Sequence, residues 1–110
     1  MTIVAVPTSV PTGPVTLDVD NIGVLEHEVL VLPLAPGQSV GQRAVGSDGK
    51  VDESGSLGEA SKTCGSGAGG GIAAHSSGWV TLTLAPGRYE LLCDIPGHYA
   101  AGAFTELDVS

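Results

Sequence analysis

Apolar residues recur at every second position in this chain and almost nowhere at every third or fourth, a pattern that excludes most folds. In Val15-Thr16-Leu17-Asp18-Val19-Asp20 the aliphatic side chains share one face and the polar groups take the other. Trp79-Val80-Thr81-Leu82-Thr83-Leu84 repeats the pattern with Val80, Leu82 and Leu84 inward, and Phe104-Thr105-Glu106-Leu107-Asp108-Val109 is a weaker third case. Residues 27–34 are nearly continuous in Val and Leu, which predicts a strand buried on both faces. No segment keeps apolar residues at i, i+3, i+4 and i+7 long enough for a stable helix. Turn signals separate the strands: Pro11-Thr12-Gly13-Pro14, Asn21-Ile22-Gly23, Ala35-Pro36-Gly37 and Ala85-Pro86-Gly87. In the last two, proline presets φ and glycine accepts a positive φ. Short strands, frequent turns and no helix predict an all-β antiparallel sandwich.

At 110 residues the chain is expected to form a single domain spanning 1–110. Its middle, 36–78, is a long insertion rich in Gly and Ser, with Gly65-Ser66-Gly67-Ala68-Gly69-Gly70-Gly71 nearly devoid of side chains. So long a connection without structure is unusual in a compact domain. Edge strands or a short helical turn around 54–60 are expected within it, and a mobile glycine run. That run is no phosphate loop, because the Lys-Ser/Thr ending and a following helix are both missing.

Charge narrows the partners. The formal net charge is −8, and Arg43, Lys50, Lys62 and Arg88 are scattered, so no basic patch exists to neutralise phosphates. Nucleic acid is excluded, and an acidic surface suits a basic protein partner. The longest strongly aliphatic stretch, 29–34, is far too short to span a membrane. The chain passes directly from Met1 into Thr2-Ile3-Val4 without a signal peptide. It is therefore either cytoplasmic or lacks a targeting segment that has been removed.

The residues that carry chemistry lie near the C-terminus, in Cys93-Asp94-Ile95-Pro96-Gly97-His98. One thiol and one imidazole bracket a Gly/Pro turn between the strand-like segments 79–93 and 104–109. His27, a further donor, starts another strand. Sulfur and imidazole held together suit a copper ion, best served by two imidazoles and one thiolate with a weak axial ligand. A Cys64–Cys93 disulfide would consume that thiolate, so Cys93 is read as a ligand and Cys64 as a free loop thiol.

At these residues the chain resembles a known family. The run Leu84-Ala85-Pro86-Gly87-Arg88-Tyr89-Glu90-Leu91-Leu92-Cys93-Asp94-Ile95-Pro96-Gly97-His98-Tyr99-Ala100-Ala101-Gly102 is similar to the copper loop of the cupredoxins, the small blue copper proteins, nearest their sulfocyanin and plastocyanin-like branch. Upstream, Gly13-Pro14-Val15-Thr16-Leu17-Asp18-Val19-Asp20-Asn21-Ile22-Gly23 and His27-Glu28-Val29-Leu30-Val31 resemble the strand that brings the first histidine. The matched parts cover about half the chain, in the family's order.

The resemblance implies a Greek-key sandwich holding one copper per chain on His27, Cys93 and His98. It implies a monomeric electron carrier rather than an enzyme, serving redox partner proteins. An alternative is a copper-handling protein that buffers or delivers the metal, and a third is a metal-free interaction module. Relatives are exported, so a periplasmic or extracellular site is expected, with a membrane anchor in the full-length form. No second cysteine follows in the loop, and His27, His75 and His98 form no His-x-His pair. Binuclear and trinuclear copper chemistry are therefore not supported.

The family pattern continues His-x4-Met, and counting from His98 lands on Ala103, which cannot ligate. Three accounts stand: an engineered removal, a natural variant with three-coordinate copper, or another donor such as a backbone carbonyl or a water. Without a thioether, Cu(I) is favoured and the potential is expected to rise. Glu28 stands where several relatives have an Asn that ties the two ligand loops, and Asp94 is the candidate for that role. His75 is read as a solvated loop residue, Trp79 and Tyr89 as core. Tyr99 and Pro96 are read as an apolar docking patch.

Overall fold

Strand pairing follows the alternation. A computed structural model describes residues 1–60 and 71–110. Its strands are β1 Ser9–Val10, β2 Gly13–Asp20, β3 Val29–Pro33, β4 Gly58–Ala60, β5 Ser77–Leu84, β6 Gly87–Leu92 and β7 Phe104–Val109. One sheet has the order β1-β7-β6-β3-β4, and β2 and β5 form the other. Every pairing is antiparallel except β1 with β7. Among the described residues there is no helix.

β2 and β5 pair along their full length, from Gly13 opposite Leu84 to Asp20 opposite Ser77. Val15, Val80 and Leu84 are buried, with Leu17, Val19 and Leu82 packed against them. The segment read as one strand over 79–93 breaks at Ala85-Pro86, and its halves enter different sheets. Tyr89 is core as expected, its hydroxyl donating to the Ala85 carbonyl at 2.6 Å. Trp79 is not core; it is 44% exposed. The alternation that turns Val80 inward turns its neighbour outward, opposite Asp18.

β3 lacks alternation because both its faces are covered. Val29 and Val31 join the core between the sheets, with Leu91, Leu107 and Val109. Leu30 and Leu32 face the other way, into a second cluster with Val51, Leu92 and Tyr99. Burying each such side chain contributes roughly 1.5–3 kcal/mol. Part of the insertion thus caps the outer face of the larger sheet. Where a helical turn was one expectation for 54–60, residues 58–60 pair as β4 along β3 and close an otherwise open edge. Cys64 and most of the glycine run lie outside the described residues.

One charged residue sits within this outer layer. Glu90, in mid-β6, has no solvent exposure. Its carboxylate accepts from Arg43 Nε at 2.6 Å, the Gly41 amide at 2.8 Å and the Tyr99 hydroxyl at 2.8 Å. Arg43 also reaches the Pro33 carbonyl at 2.9 Å, and its own amide donates to the Tyr99 oxygen at 3.1 Å. Both oxygens of the buried Glu90 carboxylate are hydrogen-bonded, the condition under which burying its charge is tolerated.

Candidate metal centre

Cys93 follows β6 directly, and its amide donates to the Ala103 carbonyl at 3.0 Å, closing the turn between them. Inside, the His98 amide donates to Ile95 O at 2.9 Å and the Ala103 amide to His98 O at 3.1 Å. From outside, Gly49 O accepts the Gly97 amide at 2.9 Å. A short turn so bonded gives the His98 side chain little choice of direction.

His27 arrives on a different loop, organised by Asn21. The buried Asn21 amide donates to Leu25 O and Ile72 O, each at 2.8 Å, while its oxygen accepts from the Gly23 amide at 3.0 Å. His27 and Ile72 exchange backbone bonds, N–H to O at 3.0 Å and 2.6 Å. Asn21-Ile22-Gly23 read from the sequence only as a turn. The Asn21 side chain is the part that composition does not disclose.

These loops bring His27, Cys93 and His98 together, their donor atoms all within 4.8 Å of one another. Cys93 Sγ lies 3.3 Å from His98 Nδ1 and 3.7 Å from His27 Nδ1. The two rings are 4.9 Å apart, tilted by 57°. Cys93 is buried and the histidines are half-buried. The Glu28 amide donates to Cys93 Sγ at 3.4 Å and so ties one ligand loop to the other. Asp94, expected to make that tie, instead accepts the Val51 amide at 2.8 Å and fastens the turn to the insertion.

Burial lowers the His27 pKa, and the neighbouring His98 adds to it. Burial pushes the Cys93 thiol up, against the amides of Glu28 and Ile95. A cation bound to the sulfur would favour the thiolate and release the thiol proton. Burial pushes Glu28 up to about 7, helped by Glu59 and Glu53. Asp94 also reaches about 7, through burial and then hydrogen bonding with Glu53.

The other candidates lie apart from this group. His75 is exposed at φ 61°, beside Asp20 and Ser77, its amide donating to Asn21 O at 2.8 Å. Tyr99 does not join a docking patch: it is 2% exposed and fills the outer cluster. Pro96 remains exposed. Ala103 is buried beside Cys93, with only a methyl group to offer.

Two imidazoles and one thiol are the donor set that suits copper. Solved structures share this fold. Dithionite-reduced auracyanin from the photosynthetic bacterium Roseiflexus castenholzii matches with a TM-score of 0.63 at 24% identity, over 93% of this chain and 82% of that one. Auracyanin B matches at 0.61 and 26% identity, over 94% and 77%. The copper protein rusticyanin matches at 0.58 and 20% identity, over 93% and 60%. No curated protein matches the chain. The fold is that of a cupredoxin, a class that transfers electrons through a single copper ion. Residues 4–110 match the sulfocyanin (SoxE) domain. The chain belongs to the sulfocyanin family.

Proposed function

We propose that this chain is a mononuclear copper electron carrier whose metal is held by His27, Cys93 and His98, with no donor from Ala103. One observation carries the reading: a buried thiol and two imidazoles from two separate loops converge within 4.8 Å. Copper supplies a one-electron couple at such a site. The protein's part is to hold the donors still. Cys93 is fixed by the hydrogen bond its amide donates to the Ala103 carbonyl and by the Glu28 amide on its sulfur, His27 by the Asn21 frame, and His98 by its tightly bonded turn. Donors held this way move little as charge changes, so the reorganisation that slows electron transfer stays small. Burial of the sulfur keeps water from it.

The redox partner is a protein with a basic docking face, complementary to a chain of net charge −8. The chain acts as a monomer in a single domain, 1–110, in the periplasm or outside the cell. Ala103 favours one other reading, copper buffering or delivery, because a site without the family's thioether holds Cu(I) in preference.

A spectrum of the copper-loaded protein separates the readings. An intense visible thiolate-to-copper band that disappears in Cys93→Ser supports the carrier. A colourless site that takes up only Cu(I) supports copper handling. No copper uptake at stoichiometric addition overturns both.

A further inference from the structure

The backbone of Met1 packs against the residue that precedes Ala103. Gly102 (φ 110°) has no side chain, and the Met1 carbonyl oxygen lies 2.8 Å from where its Cβ would stand. This approach has a cause further along the chain. β1 pairs in parallel with the end of β7, and Thr8 O accepts the Asp108 amide at 2.9 Å. The residues before β1 therefore run beside the start of β7, and residue 1 reaches the metal end of the sandwich.

Over residues 2–5 burial alternates: Ile3 and Ala5 pack against the core while Thr2 and Val4 are exposed. Met1 shares the parity of Ile3 and Ala5. Met1, Ile3, His27, Cys93 and Ala103 line one cavity of about 660 Å³. At 44% exposure the Met1 side chain is not locked by packing, and its unbranched thioether adapts to irregular space. It is also the only methionine in the chain.

We propose that the Met1 thioether is the axial donor to the copper held by His27, Cys93 and His98, replacing in space what Ala103 does not supply in sequence. Thioether sulfur is a soft ligand that selects copper, and a weak axial one completes a His2Cys plane. This rests on the copper reading above and adds the ligand that reading lacks.

Because the chain has one methionine, selenomethionine labelling places a single selenium at residue 1. X-ray absorption at the copper edge of the labelled, copper-loaded protein should show a copper–selenium path. Protein grown on norleucine, which keeps the length of the side chain without the sulfur, should show a higher reduction potential and a shifted thiolate band. The proposal is overturned by a protein that retains residue 1 by intact mass but lacks the selenium path. It is equally overturned by a norleucine protein whose potential and band are unchanged, or by a chain that loses Met1 in processing and keeps both. If instead no copper is taken up, or the band survives Cys93→Ser, the copper reading itself fails and this proposal with it.

Discussion

Tyr99 donates its hydroxyl to Glu90 Oε2 across 2.8 Å, joining the residue next to His98 to a carboxylate with no solvent exposure. Through Glu90 the ligand turn is connected to β6, to Arg43 and to the Gly41 amide. Glu90→Ala should cost about 3–5 kcal/mol, because Arg43 and the Tyr99 hydroxyl lose a buried partner together. Tyr99→Phe should cost less, about 1–3 kcal/mol, since it strands the Arg43 amide and leaves Glu90 Oε2 with the Gly41 amide alone. Urea unfolding of the metal-free protein measures both, and equal stability to the parent would contradict the network's role.

Asn21 holds three bonds in the loop that delivers His27. Asn21→Ala should destabilise by about 1–3 kcal/mol, because the Leu25 carbonyl loses its partner and the Ile72 carbonyl keeps only the His27 amide. Asn21→Asp should not rescue it, because a carboxylate cannot donate to those carbonyls. Copper should also leave the Ala variant faster, and a stopped-flow chelator assay reads that rate.

Gly49 (φ 79°) buttresses the ligand turn from the insertion. A Cβ there would stand 2.9 Å from the Gly97 nitrogen. Gly49→Ala therefore combines a left-handed backbone, costing about 1–2 kcal/mol, with a clash against the backbone that precedes His98. The expected result is a lower melting temperature together with a shifted copper spectrum. A stability loss with an unaltered spectrum would show that the turn is not braced from this side.

The acid limb of stability should depend on Glu106. Its carboxylate accepts two bonds from the Arg88 guanidinium, at 3.1 and 2.9 Å, and the bonding holds its pKa down to about 2. Asp108, hydrogen-bonded to Glu106, is pushed the other way. A depressed folded-state pKa gives stability that is present above the unfolded value, about 4.3, and is lost as pH falls toward the folded one. Urea midpoints taken between pH 6 and 2 should therefore fall less steeply for Glu106→Gln than for the parent. Both side chains are partly solvated, so the difference will be small.

The periodicity of the chain disclosed β2, β3, β5 and β7, because a strand with one buried face must alternate and one with two need not. The same alternation puts Trp79 on the face opposite Val80, Leu82 and Leu84, against the expectation of a core residue that its size alone suggests. β4 was legible only as an edge strand or a helical turn. Three residues, Gly58–Ala60, carry too little pattern, and pairing with β3 decided the matter. The Glu90 network has no motif at all. A single acid within Tyr89-Glu90-Leu91-Leu92 gives a strand no reason to bury it, until Arg43 and Tyr99 come from elsewhere in the chain.

For the metal centre the division is similar. The residues Cys93 and His98 declared themselves by chemistry and spacing, because five residues of local chain cannot separate them far. His27 stood out as a further donor and was joined to them by resemblance, but only the fold brings it within reach, 66 residues from Cys93. Ala103 and Met1 mark the limit of reading along the chain. The sequence by itself determined that position 103 carries an alanine, whose side chain cannot ligate. That a methionine from the opposite end runs to that same place was decided by tertiary structure alone, through the parallel pairing of β1 with β7.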